Sequence, residues 1–298
     1  MHQVQQLSTG WLIHTPAKLN LFFELLRKRE DGYHEIESLM VPISLYDTLV
    51  LEIDRESSVP LSLGCKTFPP NRRSDEIIPS DERNLAWRAV TAIRRLRELP
   101  LGLQLTLFKR IPSQAGLGGG SSDAAATLLL LNCALDLRLN AKELRELACE
   151  LGSDVPFFLA PTPQIARGRG EILVPQAGLP RLHCVVIAPP VGLSTPAVYG
   201  RSKVPNQPRN MEPLLAALRT GSKTLRDLMW NSLEPAAREL SPAILRLAAS
   251  VAQTECLGQL MSGSGSSYFG LYANARAAAR AAKKLRGMDL GQVFQVSS

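Results

Sequence analysis

Three short stretches of this chain carry residue types and spacings suited to chemistry. The first is Gly116-Leu117-Gly118-Gly119-Gly120-Ser121-Ser122. Glycines remove the side chains that keep a ligand off the main chain, so successive N–H groups can converge on an anion at a helix's positive end. The second is Lys18, set among apolar neighbours in Pro16-Ala17-Lys18-Leu19-Asn20-Leu21, where an ammonium carries a desolvation cost unless a partner or ligand offsets it. The third is Asp154 in Gly152-Ser153-Asp154-Val155-Pro156-Phe157-Phe158. Amides for a phosphate, a cation and a carboxylate are the parts that phosphoryl transfer to an alcohol uses. Each stretch also has an ordinary structural reading. Lys18 can snorkel from a strand edge, Asp154 can cap a helix, and a Gly/Ser run can be a linker, although an Ala/Leu helix directly after it speaks against that.

The elements around the glycines must position them. Leu101, Leu103, Leu105 and Leu107 alternate with Gly102, Gln104, Thr106 and Phe108, the period-two signature of a strand with one buried face. Residues 123–131 are nearly all Ala and Leu, which favours helix. The glycines therefore form a turn between strand and helix, a phosphate cradle. It is not a Walker A loop, because no Lys follows the glycines, and not a dinucleotide fingerprint, because Ser121 stands where the third Gly belongs. Ser121 and Ser122 can offer hydroxyls to phosphate or to a metal-bound water, and either can be the helix N-cap, which uses the same exposed terminus. Lys109, at the end of the feeding strand, reads by itself as a strand-end charge.

Along the rest of the chain, residues 11–26 read as strand broken at Pro16, and Asp31-Gly32 as a turn leading into Tyr33-His34. Residues 46–53 form another strand, and the proline-bearing stretch 57–81, with Arg72 and Arg73, an irregular surface connection to a helix starting near Asn84. A helix over 141–151 ends at Gly152, residues 166–171 make a hairpin, and 182–188 a buried strand. A short helix opens at 194–199. Residues 211–247 hold three helical stretches interrupted at 230–235, and 260–269 repeat the pattern of strand, glycine turn and strand. An Ala-rich helix over 273–286 and a strand around Val293 close the chain.

Composition narrows the function classes. With 298 residues and 45% hydrophobic content the chain can bury substantial cores. A net charge of +7 suits an anionic substrate as well as nucleic acid, but the arginines are dispersed on helices and aromatics are only 5%, which argues against nucleic acid as the partner. Five cysteines without a CxxC pair read as free thiols of a reducing cytoplasm and not as a zinc site. Neither a signal-like N-terminus nor an apolar run of membrane-spanning length is present, so the expectation is a cytoplasmic protein with no membrane partner.

Pro112, three residues and then 116–122 resemble the ATP loop of the GHMP kinases, the superfamily of galactokinase, homoserine kinase, mevalonate kinase and phosphomevalonate kinase. The resemblance implies an α+β, two-lobed fold: a ribosomal-S5-like N-terminal lobe over residues 1–163 and a ferredoxin-like C-terminal lobe over 164–298. It implies that Pro112, Ser113, Gln114, Ala115, Gly116, Leu117, Gly118, Gly119, Gly120, Ser121 and Ser122 bind ATP, and that Lys18 and Asp154 are the catalytic pair. Asp31-Gly32-Tyr33-His34 resembles the stretch that holds a cytosine ring in one branch of the superfamily, with Tyr33 stacking on the base and His34 bonding its edge. By the same resemblance Asn20 faces the substrate, Lys109 contacts nucleotide or cytidyl group, Thr195 and Tyr199 close over cytidine, and 261–267 is a turn that packs against the ATP loop. Residues 231–234 match an N-x-L-E element. The implied reaction moves the γ-phosphoryl group of ATP to the 2-hydroxyl of 4-diphosphocytidyl-2-C-methyl-D-erythritol, in non-mevalonate isoprenoid biosynthesis. Mg2+ would accompany ATP with no direct protein ligand. The partner is a small cytidyl diphosphate molecule, and the protein is a monomer or weak homodimer. Asp31-Gly32-Tyr33-His34 and Thr195 argue against a mevalonate or homoserine type, and retention of both Lys18 and Asp154 argues against a non-catalytic nucleotide binder.

Overall fold

A computed structural model describes residues 4–54, 56–68, 78–222 and 224–298. In chain order the elements are β1 (Gln5–Gln6), β2 (Trp11–Lys28), β3 (His34–Ile53), β4 (Leu61–Thr67), α1 (Leu85–Arg94), β5 (Leu103–Lys109), α2 (Gly119–Ala134) and α3 (Ala141–Leu151). A 3-10 turn follows at Pro156–Leu159. Then come β6 (Gln164–Gly168), β7 (Ile172–Pro175), β8 (His183–Ala188), α4 (Thr195–Arg201), α5 (Glu212–Arg219), β9 (Trp230–Asn231), α6 (Glu234–Leu240), α7 (Pro242–Ala252), β10 (Gly258–Met261), β11 (Tyr268–Tyr272), α8 (Ala275–Arg286) and β12 (Gln292–Ser297). They form two compact units, each assembled from separated stretches. Unit 1 comprises Met1–Ala17, Leu45–Ile111 and Gly118–Pro161; unit 2 comprises Lys18–Ser44, Pro112–Leu117 and Thr162–Ser298.

In unit 1, β5 runs antiparallel to the second half of β3, with Thr48 opposite Phe108 and Ile53 opposite Leu103, and parallel to β4. The alternation in β5 buries Leu103, Leu105, Leu107 and Lys109. The facing phase of β3 buries Leu45, Asp47, Leu49 and Leu51. Helix α2 is buried on nearly every side, from Ser122 through Leu131, as its lack of a polar face requires. Helix α3 is amphipathic and starts in a capping box: the Asn140 side chain accepts from the amides of Lys142 and Glu143, and Glu143 accepts from the Asn140 amide. It ends at Gly152, one turn before Phe157 and Phe158, which are both fully buried.

Unit 2 pairs the first half of β3 antiparallel with β6, which forms the expected hairpin with β7, and pairs Phe22 and Phe23 of β2 in parallel with β9. A second sheet has the spatial order β10-β11-β8-β12, antiparallel throughout. With α6 and α7 between β8 and β10, and α8 between β11 and β12, this is the βαββαβ arrangement of ferredoxin-like folds. Val185 and Ile187 of β8 pack with Ile244, Leu247 and Val251 of α7 and with Leu285 of α8 in one apolar cluster.

Three local expectations are corrected. Pro16 does not break β2, which continues through it. The described pairs of β2 with β1 and with β9 fall at Trp11–Leu12 and Phe22–Phe23, not at Pro16. The stretch 57–81 is not wholly irregular, because Leu61 and Leu63 alternate with exposed Ser62 and Gly64 to form β4 at the edge beside β5; Arg72 and Arg73 lie outside the described residues. Neither Ser121 nor Ser122 caps α2. The helix starts at Gly119, and its cap is Gly118, held at φ +73° without a side-chain bond, a conformation glycine adopts at little cost.

The α3 cap gives a stability prediction. Replacing a good N-cap with alanine costs ~1 kcal/mol, so Asn140→Ala should lower the urea-unfolding free energy of the domain by about that amount, with no change in the native circular dichroism spectrum.

Candidate active site

The first half of the glycine turn is fixed inside unit 2 by main-chain contacts. Gln114 and Gly116 have positive φ, and a β-carbon on Gly116 would stand 2.0 Å from the Ser262 carbonyl oxygen. Ser262 Oγ donates to the Gly116 carbonyl at 3.0 Å, and the Ser267 amide donates to the Ala115 carbonyl at 3.0 Å. The turn at 262–267 thus packs on residues 115–116, as its sequence suggested. The Asn231 amide group holds this second turn from behind by donating to the Met261 and Gly263 carbonyls at 2.9 and 2.8 Å. Glu234 accepts from the Met261 amide.

Lys18 lies against the same turn. Its side chain is 3% exposed, its Nζ donates to Asn20 Oδ1 at 2.5 Å, and its amide donates to the Leu117 carbonyl at 3.0 Å. The Asn20 amide group donates in turn to Ser38 Oγ at 2.7 Å, and Ser38 donates to the Phe22 carbonyl. A β-carbon on Gly263 would be 3.1 Å from Lys18 Nζ, so glycine there lets the main chain come close to the ammonium. Thr195 Oγ1 meets Ser264 Oγ of this turn at 2.8 Å.

The residues expected at the cytidyl end also lie in unit 2. Asp31 accepts from the Tyr33 amide, and Gly32 has φ +83°, which shapes the turn. Tyr33 is 54% exposed, with the Arg169 guanidinium 5.0 Å from the centre of its ring. The His34 ring lies 5.5 Å from that of Tyr199, tilted by 42°, and Tyr199 meets Phe23 edge-on. Burial, and after it the charge of Lys28, holds His34 below its ordinary pKa, which favours the neutral ring with one donor and one acceptor nitrogen.

Unit 1 contains Asp154, half-buried in the turn between α3 and Pro156, and the second half of the glycine turn running into α2. Ser121 is half-buried in the first turn of that helix. Ser122 is fully buried: its Oγ donates to the Pro16 carbonyl at 2.6 Å and lies 2.6 Å from Thr15 Oγ1. Lys109, read by itself as a strand-end charge and by resemblance as a contact to nucleotide or cytidyl group, is 4% exposed, with its ammonium bonded to Asp47 Oδ2 and Asp123 Oδ2 within unit 1. Neither aspartate was singled out from the sequence. The signal for Asp47 was available: it occupies the buried phase of Leu45, Asp47, Leu49 and Leu51. Asp123 is the one charged residue of α2. Burial pushes Asp123 up to about 7; Lys109 opposes that rise and Asp47 adds to it.

Comparisons with known proteins agree with this architecture. The family descriptions GHMP kinases N terminal domain and GHMP kinases C terminal match residues 84–161 and 211–288. These matches define the chain's class as GHMP kinase. Among curated proteins, 4-diphosphocytidyl-2-C-methyl-D-erythritol kinase of Alkaliphilus metalliredigens (strain QYMF) is 39% identical over 261 residues, 87% of this chain and 86% of the relative. The protein of that name from Shouchella clausii (strain KSM-K16) is 36% identical over 277 residues, 92% of this chain and 90% of the relative. A crystal structure titled 4-(cytidine 5'-diphospho)-2C-methyl-D-erythritol kinase superposes with a TM-score of 0.77 at 38% identity, covering 96% of this chain and 98% of that one. Homoserine kinase from Cytophaga hutchinsonii ATCC 33406, at 21% identity and a TM-score of 0.72 over 99% of this chain and 96% of that one, shares the fold. The chain belongs to the 4-diphosphocytidyl-2-C-methyl-D-erythritol kinase family. No helix among the described residues is long and apolar enough to cross a membrane.

Asp123 gives a pH prediction with a definite sign. Its folded pKa, about 7 against an ordinary 3.8, means that the native state retains a proton the unfolded chain releases, so its contribution to stability falls as pH rises between those values. Asp123→Asn removes that titration. The melting temperature of the variant should therefore gain on that of the unsubstituted protein between pH 5 and pH 7, and parallel melting profiles would contradict the assignment.

Proposed function

We propose that this chain transfers the γ-phosphoryl group of ATP to the 2-hydroxyl of 4-diphosphocytidyl-2-C-methyl-D-erythritol. The observation that carries the reading is the single turn at 262–267. Within unit 2 it touches the ATP-loop glycine through Ser262 and Gly116, the buried ammonium through Gly263 and Lys18, and the cytidyl-end residue Thr195 through Ser264. One rigid turn thereby spaces parts assigned to nucleotide, charge stabilisation and acceptor.

Residues 112–122 bind the triphosphate, chiefly through amides. The bare helix start at Gly119 adds the positive end of the α2 dipole. The half-buried Ser121 hydroxyl could hold a water of the Mg2+ that would accompany the nucleotide and offset part of its charge. Tyr33 stacks on cytosine, His34 bonds its edge, Tyr199 and Thr195 close over the nucleoside, and Asn20 orients the acceptor. Asp154 accepts the hydroxyl proton as the new O–P bond forms and the bond from the γ-phosphorus to the bridging oxygen breaks, releasing ADP. Lys18 stabilises the negative charge that develops on the attacking oxygen. Such transfers depend mainly on alignment and charge stabilisation, so each group acts by position.

A coupled ADP-release assay with the cytidyl substrate tests the reaction. Asp154→Asn and Lys18→Met should each lower kcat by roughly 10²–10⁴-fold while the protein stays folded; near-normal turnover in either would remove that residue from the mechanism. Base stacking on an aromatic is worth about 1–3 kcal/mol. Tyr33→Ala should accordingly raise KM for the cytidyl substrate about tenfold or more and leave KM for ATP unchanged. Equal turnover of an acceptor lacking cytosine would count against Tyr33 and His34.

A further inference from the structure

We infer that Asp47, Lys109 and Asp123 form a buried ionic clamp that sets the start of α2 against the end of β5, and that these three are positioning residues for nucleotide binding. The inference rests on the reading of residues 112–122 as the ATP turn, and it concerns the two flanks of that turn, both within unit 1.

Lys109 is the last residue of β5, on its buried phase. Asp47 reaches across from β3: its Oδ2 bonds the Lys109 ammonium, and its Oδ1 accepts from the amides of Arg110 and Ile111 at 2.5 and 2.9 Å. One carboxylate therefore fixes both the strand-end cation and the two amides with which the chain leaves the strand. Lys109 then bonds Asp123 Oδ2 at 2.5 Å, in the early part of α2. Gly119 shows how close the contact is, since a β-carbon there would stand 2.9 Å from Ile111 Cγ2 and 3.4 Å from Lys109 Nζ. The chain enters and leaves the turn at two points joined by one ammonium.

Stability alone does not call for this arrangement. Apolar side chains of similar volume often hold buried layers together as well as a buried ion pair or better. Asp47, Lys109 and Asp123 are all 4% exposed or less, and Asp123 Oδ1 is buried with no partner among the described residues. What three polar groups add over three apolar ones is direction, because hydrogen bonds to an ammonium specify distance and angle where apolar packing does not. The object held is a helix start with no side-chain cap, and anion binding there depends on where its free amides point. Lys109 also neutralises carboxylate charge that would otherwise repel an incoming phosphate.

The test separates positioning from stability. Lys109→Met alone would leave two buried carboxylates facing each other, so the informative protein is the neutral triple variant Asp47→Asn, Lys109→Met and Asp123→Asn. Binding of the non-hydrolysable β,γ-imido analogue of ATP with Mg2+ is measured by calorimetry, without acceptor, alongside the melting temperature and the KM for the acceptor. The expected result is a folded protein that binds the analogue about tenfold or more weakly, with acceptor KM unchanged. If the triple variant does not fold, Asp123→Asn, which keeps the Asp47 bonds, is measured in the same way and should also weaken the analogue. A folded variant binding the analogue within about threefold of the unsubstituted protein overturns the clamp. An unsubstituted protein that does not bind the analogue overturns the nucleotide reading and the clamp with it.

Discussion

The contact on which unit 2 depends is an approach of main chain to main chain. At Gly116 a single added carbon would reach within 2.0 Å of the Ser262 carbonyl oxygen, so the two glycine turns can touch only because one of them carries no side chain there. Gly263, at φ +55°, brings the second turn beside Lys18 by the same means. Side chains then lock what the glycines permit. Asn231 holds the Met261 and Gly263 carbonyls, Ser262 spans to Gly116, and Ser264 meets Thr195. Glycine is usually associated with looseness, but here its bareness lets the backbone be packed and hydrogen-bonded like a core element.

Two lysines show how one residue type is buried in two ways. Lys18 adjoins the amide oxygen of Asn20, and the bonding continues through neutral groups to Ser38 and the Phe22 carbonyl. Lys109 faces two carboxylates, which raise its pKa despite the opposing effect of burial. Two carboxylates fix the Lys109 ammonium in direction as well as in place, between the end of β5 and the early part of α2.

The family match and the site geometry address different questions. A homoserine kinase at 21% identity shares the fold, so fold alone leaves the acceptor open. The residues proposed to meet the acceptor lie together in unit 2: the Asp31–Gly32 turn presenting Tyr33, with Arg169 beside its ring, and His34 against Tyr199. They involve β3, the hairpin of β6 and β7, and the short helix α4.

Local pattern by itself determined a great deal. The alternation in β5, the Ala/Leu run of α2, the end of α3 at Gly152 and the strand-turn-strand of β10 and β11 are all written in short-range spacing, and so are the motifs that identified the family. Cues at Pro16 and Ser122 misled because they depend on neighbours far along the chain: whether a strand partner lies opposite a proline, and whether a glycine has already started the helix. Tertiary structure alone decided which charges meet. Asp47, Lys109 and Asp123 are separated by 62 and 14 residues, and Ser262 finds Gly116 across 146. No periodicity encodes such pairings, because they follow from how strands and helices stack, and a buried charge takes its character from whatever that stacking places beside it.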